Sequence, residues 1–109
     1  MEIMMKDNCC IITPLSPKLS ERETFRLKEE VINNSELRTG LNMAYVNDCT
    51  IDFIECIKNY KNISLFNIHS DVFAILTSMN LDKTLKLFVS EMDFLNDKHQ
   101  LLNRKFSVV

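Results

Sequence analysis

Short apolar runs alternate along this chain with segments whose apolar residues recur at helical spacing. Residues 2–6, EIMMK, suit an edge strand, and residues 9–13, CCIIT, a second strand of buried type. Pro14 and Pro17 stop any regular element after it. Ser20, with Glu23 three positions on, has the form of a capping box for a helix over residues 21–33. Phe25, Leu27, Val31 and Ile32 give that helix an apolar side, and Arg22, Lys28, Glu29 and Glu30 a wet one. Asn33, Asn34 and Ser35 end it.

From Leu37 the chain approaches as a loop and becomes a strand at Leu41, where Leu41, Met43 and Tyr45 alternate with Asn42 and Ala44. A tight polar turn, Asn47-Asp48-Cys49-Thr50, leads into a helix through Tyr60. Ile51, Ile54 and Ile57 recur at helical spacing, with Phe53, Cys56 and Tyr60 beside them. Asp52, Lys58 and Lys61 face out, and Asp48 or Thr50 can cap. Residues 63–68, ISLFNI, predict another strand. Ser70 or Asp71 caps a helix over residues 71–79, with Val72, Ile75, Leu76 and Met79 inside and Asn80 suited to a left-handed C-cap. Residues 85–89 predict the last strand. Ser90 and Asp93 open a final helix through residue 103 that carries Met92, Leu95 and Leu102 as core positions, and residues 106–109 form a tail.

The order β-β-α-β-α-β-α-β-α, with short connections, predicts an α/β fold. Its sheet is mixed but mostly parallel, with about four to five strands packed by about four helices. At 109 residues the chain is expected to be one domain, 1–109, able to bury a core without staples. A turn at the carboxyl end of a strand is where such folds build sites, which draws attention to residues 47–50.

Composition narrows the function. A net charge of −2 with no basic tract argues against nucleic acid and against an electrostatic membrane anchor, and leaves a protein partner as the better fit. No apolar run approaches the ~18–20 residues of a membrane span. The N-terminal MEIMMKDNCC lacks the form of a secretory signal, so the expected location is the cytoplasm, without membrane insertion. Gly40 is the only glycine, which removes glycine-rich phosphate loops, and no other cofactor motif is present. Cys9, Cys10, Cys49 and Cys56 form no Cys-x-x-Cys, and neighbours Cys9 and Cys10 point to opposite faces of a strand. They are read as reduced thiols packed as small hydrophobes, with no metal site. Met4, Met5 and Met43 are read as core filler. His69 and His99 are read as surface or cap residues. No triad, paired carboxylates or metal spacing supports an enzyme.

The segment HSDVFAILTSMNLD, residues 69–82, resembles without a gap the "S-P-x-V-x-x-x-L-x-x-x-G-L-D" helix and turn of STAS domains. That family comprises the anti-sigma-factor antagonists and the cytosolic domains of sulfate transporters. Val72, Leu76, Leu81 and Asp82 match, and Asn80 stands for the glycine, since asparagine also tolerates positive φ. LKLFVSEMDFL is similar to the family's closing strand and capped last helix. CIITPLSPKLSERETFRLKEEV is similar to its second strand, loop and first helix. The resemblance covers nearly the whole chain and implies a STAS-like fold.

The family signature is an Asp-Ser-Ser-Gly-like turn in which a Ser or Thr is phosphorylated by the partner kinase. Here the turn reads Asn47-Asp48-Cys49-Thr50. By the direct alignment Cys49 takes the phosphoacceptor position, and a one-residue shift places Thr50 there. The glycine is missing either way. Cys49 could be a reactive thiol at a helix N-terminus or a small packing residue. Thr50 could be a phosphoacceptor or an N-cap. Asp48 and Asp52 could present a permanent negative charge or simply be solvated carboxylates at a positive helix end.

The resemblance thus implies a non-enzymatic protein-binding module, with Asn47, Asp48, Cys49, Thr50 and Asp52 as the partner-binding turn. The partner would be an anti-sigma factor or switch kinase, and the phosphorylation switch is lost or altered. The alternative is an accessory subunit of a membrane-transport complex. The edge strand at residues 2–6 could pair with a second copy as a homodimer, or lie against its own sheet.

Overall fold

A computed structural model describes residues 1–34, 36–60 and 62–97. Strands β1 (Glu2–Lys6), β2 (Cys9–Thr13), β4 (Arg38–Asn42), β6 (Ile63–Phe66) and β7 (Lys86–Phe88) form one five-stranded sheet in the order β1-β2-β4-β6-β7. β1 runs antiparallel to β2, and every other neighbouring pair is parallel. Between them lie the helices α1 (Glu21–Asn33), α2 (Ile51–Lys58), α3 (Ser70–Ser78) and α4 (Glu91–Leu95), with a 3-10 turn at Leu81–Lys83. The mixed, mostly parallel α/β architecture expected from the alternation is the one observed.

The β1–β2 hairpin closes on Asp7 and Asn8, whose φ values of 51° and 62° place both in the left-handed region that a two-residue turn of this kind requires. Parallel strands bury both faces, and β2, β4, β6 and β7 accordingly read as buried runs. One face carries Cys10, Ile12, Leu41, Leu65 and Leu87 and packs against Leu27 and Val31 of α1, Phe53, Ile54 and Ile57 of α2, and Val72 and Leu76 of α3. The opposite face carries Cys9, Ile11, Phe66 and Phe88 and is covered by Phe94 of α4. Cys9 and Cys10 do point to opposite faces, and all four cysteines are buried and free.

Gly40 has a reason in packing rather than in phosphate chemistry. A Cβ there would lie 2.7 Å from Cε2 of Phe94 and 3.0 Å from Cε1 of Phe66. The Phe94 ring rests on the bare backbone, stacked on Phe66 at 5.5 Å and edge-on to Phe88 at 5.5 Å. Arg38 closes this cluster: its guanidinium lies 4.6 Å from the Phe94 ring centroid, and Nη2 donates to the Phe94 carbonyl at 2.9 Å.

Several expectations need correction. The central strand is Arg38–Asn42, not residues 41–46. Beyond Asn42 the chain turns, with the Val46 N–H donating to the Met43 carbonyl, so the apparent alternation of Leu41, Met43 and Tyr45 is an accident of a turn that buries Met43 and exposes Tyr45. The strand at residues 63–68 ends at Phe66 because Asn67 takes φ 55°. Phe25 and Ile32 are exposed, and only Thr24, Leu27 and Val31 bury the inner side of α1. Ile51, Met79 and Met92 also face out, as do Met4 and Met5, because nothing among the described residues covers β1. His69, not Ser70 or Asp71, occupies the N-cap position of α3. Ser20 does not accept from the helix backbone; its hydroxyl donates to the Glu23 carboxylate instead. The left-handed Asn80 (φ 59°) and the Ser90 cap on Asp93 are as expected. Ser35, Lys61, His99, Leu102 and the tail lie outside the described residues.

Candidate functional site

A second, two-stranded sheet that periodicity does not reveal builds the turn. β3 (Lys18–Leu19) pairs in parallel with β5 (Asp48–Cys49). The N–H groups of Asn47 and Asp48 both donate to the Pro17 carbonyl, at 2.7 and 3.1 Å, and the Thr50 N–H donates to the Leu19 carbonyl at 3.2 Å. The turn is therefore fastened to the segment that starts α1. From the other side His69 Nε2–H donates to the Ala44 carbonyl at 2.6 Å. Asn42 Oδ1 accepts from the Ala44 N–H at 3.2 Å and from Asn67 Nδ2 at 3.0 Å. Asn42, Asn67 and His69 thus hold the approach to the turn. Sequence reasoning assigned them no such role, although an Asn directly after an apolar run is a recognisable signal for a left-handed turn.

The five turn residues divide by exposure. Asn47, Asp48 and Asp52 are exposed, Thr50 is half-buried, and Cys49 is buried. Thr50 is the N-cap of α2, and its Oγ1 accepts from the Phe53 N–H at 3.4 Å. Asp48 Oδ1 accepts from the Cys49 N–H at 2.9 Å, while its other oxygen lies 3.9 Å from Lys18 Nζ in an exposed ion pair of small energetic weight. Burial, reinforced by the Asp48 charge, pushes the Cys49 thiol up to about 11. A helix N-terminus would pull it down, but desolvation wins. At neutral pH that raised value favours the thiol over the thiolate that nucleophilic chemistry needs.

Around the turn the surface is apolar and acidic. Ile51 is 71% exposed and Phe25 64%, with Leu15 and Tyr45 also exposed. A groove between α1 and α2 is lined by Glu21, Phe25, Lys28, Asp52, Glu55 and Tyr60, among others, which places three carboxylates against one lysine beside aromatic rings. A second groove, bordered by Lys58, Ile63, Asn80 and Lys86, opens where β6 and β7 begin, at the end of the sheet opposite the turn. Among the described residues no three His, Cys, Asp or Glu side chains gather to hold a metal ion, and no helix is long and apolar enough to cross a membrane.

No protein-family model matches the chain, and no curated protein matches it. Solved structures do. The crystal structure of a candidate anti-sigma factor antagonist from Thermotoga maritima superposes with a TM-score of 0.78 at 17% identity, covering 88% of this chain and 92% of that one. The NMR structure of the same Thermotoga protein gives 0.73 at 16% identity, covering 90% and 86%. An anti-sigma-factor antagonist (STAS) domain protein from Planctomyces limnophilus gives 0.74 at 14% identity, covering 88% and 94%. At these identities the likeness is one of fold, and the chain has the STAS-like fold of anti-sigma-factor antagonists.

Proposed function

We propose that this chain is a non-enzymatic, cytoplasmic STAS-like module. It binds an anti-sigma factor or related switch kinase through the Asn47–Asp52 turn and the adjoining α1–α2 groove, and its phosphorylation switch is lost or altered. The observation that carries this reading is the state of the two hydroxyl or thiol groups available at the switch position. Cys49 is buried, which pushes its thiol up to about 11, and the Thr50 oxygen is already the cap of α2. A phosphate on Thr50 would sit beside Asp48 and Asp52, two carboxylates that already supply negative charge at the helix N-terminus. The exposed Phe25 and Ile51 supply the apolar anchors a docking surface needs, and the acidic groove favours a partner that presents basic side chains around an apolar patch.

Incubation with the co-purified kinase and ATP, followed by intact mass, tests the switch. The expected mass is unchanged, and one added phosphate on Thr50 sinks the lost-switch version. Binding is tested on the same partner with Phe25→Ala, at unchanged melting temperature, and with Asp52→Lys, at a slightly lowered one because Asp52 lies in the first turn of α2; each is expected to weaken binding roughly tenfold or more. If native-cell capture returns a transporter ATPase in place of a kinase, the accessory-subunit reading replaces this one.

A further inference from the structure

We propose that β1 is a self-pairing edge, and that two copies of this chain join β1 to β1 in antiparallel fashion about a twofold axis at Met4. The five-stranded sheets would then continue into one another. Among the described residues the sheet ends at β1, so alternate backbone N–H and C=O groups of residues 2–6 point away from β2. All five residues are exposed, with Ile3 at 42%, Met4 at 51% and Met5 at 54%. Two of the devices that usually blunt an edge are missing here. β1 pairs with β2 in unbroken register from Glu2 to Lys6, without a bulge, and contains no proline. Its centre is Ile-Met-Met, and its charges stand only at the ends.

Those end charges select the occupant and the register. Directly opposed residues in an antiparallel pair share a face of the sheet. With Met4 on the axis, Glu2 stands opposite the partner's Lys6, Ile3 opposite the partner's Met5, and Met4 opposite the partner's Met4. Every residue of the strand then has a mate, both charges meet their opposites twice over, and the apolar residues meet each other. Shifting the pairing by two residues either way leaves a charge facing a methionine. In the chosen register Glu2, Met4 and Lys6 lie on the face carrying Cys9 and Ile11, since β1 pairs Met4 with Ile11 and Lys6 with Cys9. On that face Lys6 already reaches Glu91 of α4 at 3.1 Å, so in the dimer it sits between two carboxylates.

Sedimentation equilibrium over roughly 1 µM to 1 mM reads the association of the full chain. The wild type is expected to dimerise, and a monomer at the top concentration overturns the proposal. Met4→Lys brings two ammonium groups together on the axis and is expected to weaken the dimer more than about tenfold, while the melting temperature of the dilute monomer holds because the side chain is half exposed. Glu2→Lys sets lysine against the partner's Lys6 at both ends and is expected to weaken it similarly, whereas Glu2→Lys with Lys6→Glu and Glu91→Lys, which keeps every opposed pair of unlike sign, restores it. A swap that fails to restore, or a Met4→Lys dimer as tight as wild type, rules out this register. Heterologous strand addition by another protein would show as a monomer alone.

Discussion

Cys49 shows how a single residue can stand at a reactive address and yet be inert. Its place before α2 favours a thiolate, but the side chain is 9% exposed and faces the Asp48 charge. The sign of the consequence follows from linkage. The folded state holds the proton more tightly than an unfolded chain, whose thiol titrates near 9.0. The stabilisation is therefore complete below pH 9 and is lost as pH rises from 9 to about 11. Urea melts across that window should show falling stability, and Cys49→Ala should flatten part of the slope. Part should remain, because burial also raises the thiols of Cys10 and Cys56. An unchanged slope in Cys49→Ala would show that the thiol is more solvated than its burial implies. The cysteine itself was legible in the sequence; its protonation was not, because desolvation depends on neighbours brought in from elsewhere in the fold.

At the level of elements, α2 is short, and its start rests on one side chain. Thr50→Ala should cost about 1 kcal/mol by removing the acceptor for the Phe53 N–H, whereas Thr50→Asp keeps a capping oxygen and should be near neutral. Comparing the two by thermal melts separates capping from any effect of charge on partner binding; equal losses would show that the cap contributes little. Periodicity identified α1, α2 and α3 and placed their starts within a residue or so. It misplaced β4 for a physical reason. Arg38, Thr39 and Gly40 look like loop residues, but they are strand residues because Phe94 and the neighbouring strands need a flat, bare backbone at Gly40 and a cation over the ring. Phe25, Ile32 and Ile51 were misread for the complementary reason: apolar spacing alone does not distinguish a core face from an exposed one.

Across the whole molecule the two faces of the sheet are unequal. α1, α2 and α3 cover one, while the described residues place only α4 on the other, anchored by Phe94, by Arg38 and by the Lys6–Glu91 pair. Phe94→Ala should therefore cost about 3–5 kcal/mol in urea unfolding. Gly40→Ala should cost about 1–3 kcal/mol, because the added methyl displaces that ring. The double variant should lose less than the sum, since with the ring gone the methyl has mainly Phe66 to meet. Strict additivity would mean that Gly40 is needed for something other than Phe94. Strand–helix alternation and a mostly parallel sheet could be foreseen from the sequence, whereas this coupling between a glycine in β4 and a phenylalanine more than fifty positions later could not.

Pro17 gives the turn a property that none of its own residues has. One carbonyl receives the N–H groups of both Asn47 and Asp48, and it belongs to a residue whose ring fixes φ. Any partner that pulls the turn out of place must break both bonds together or drag the entrance of α1 along with it. The amino ends of α1 and α2 are in that sense a single mechanical part, and force applied at residues 47–50 is delivered to a helix that begins about thirty residues earlier in the chain.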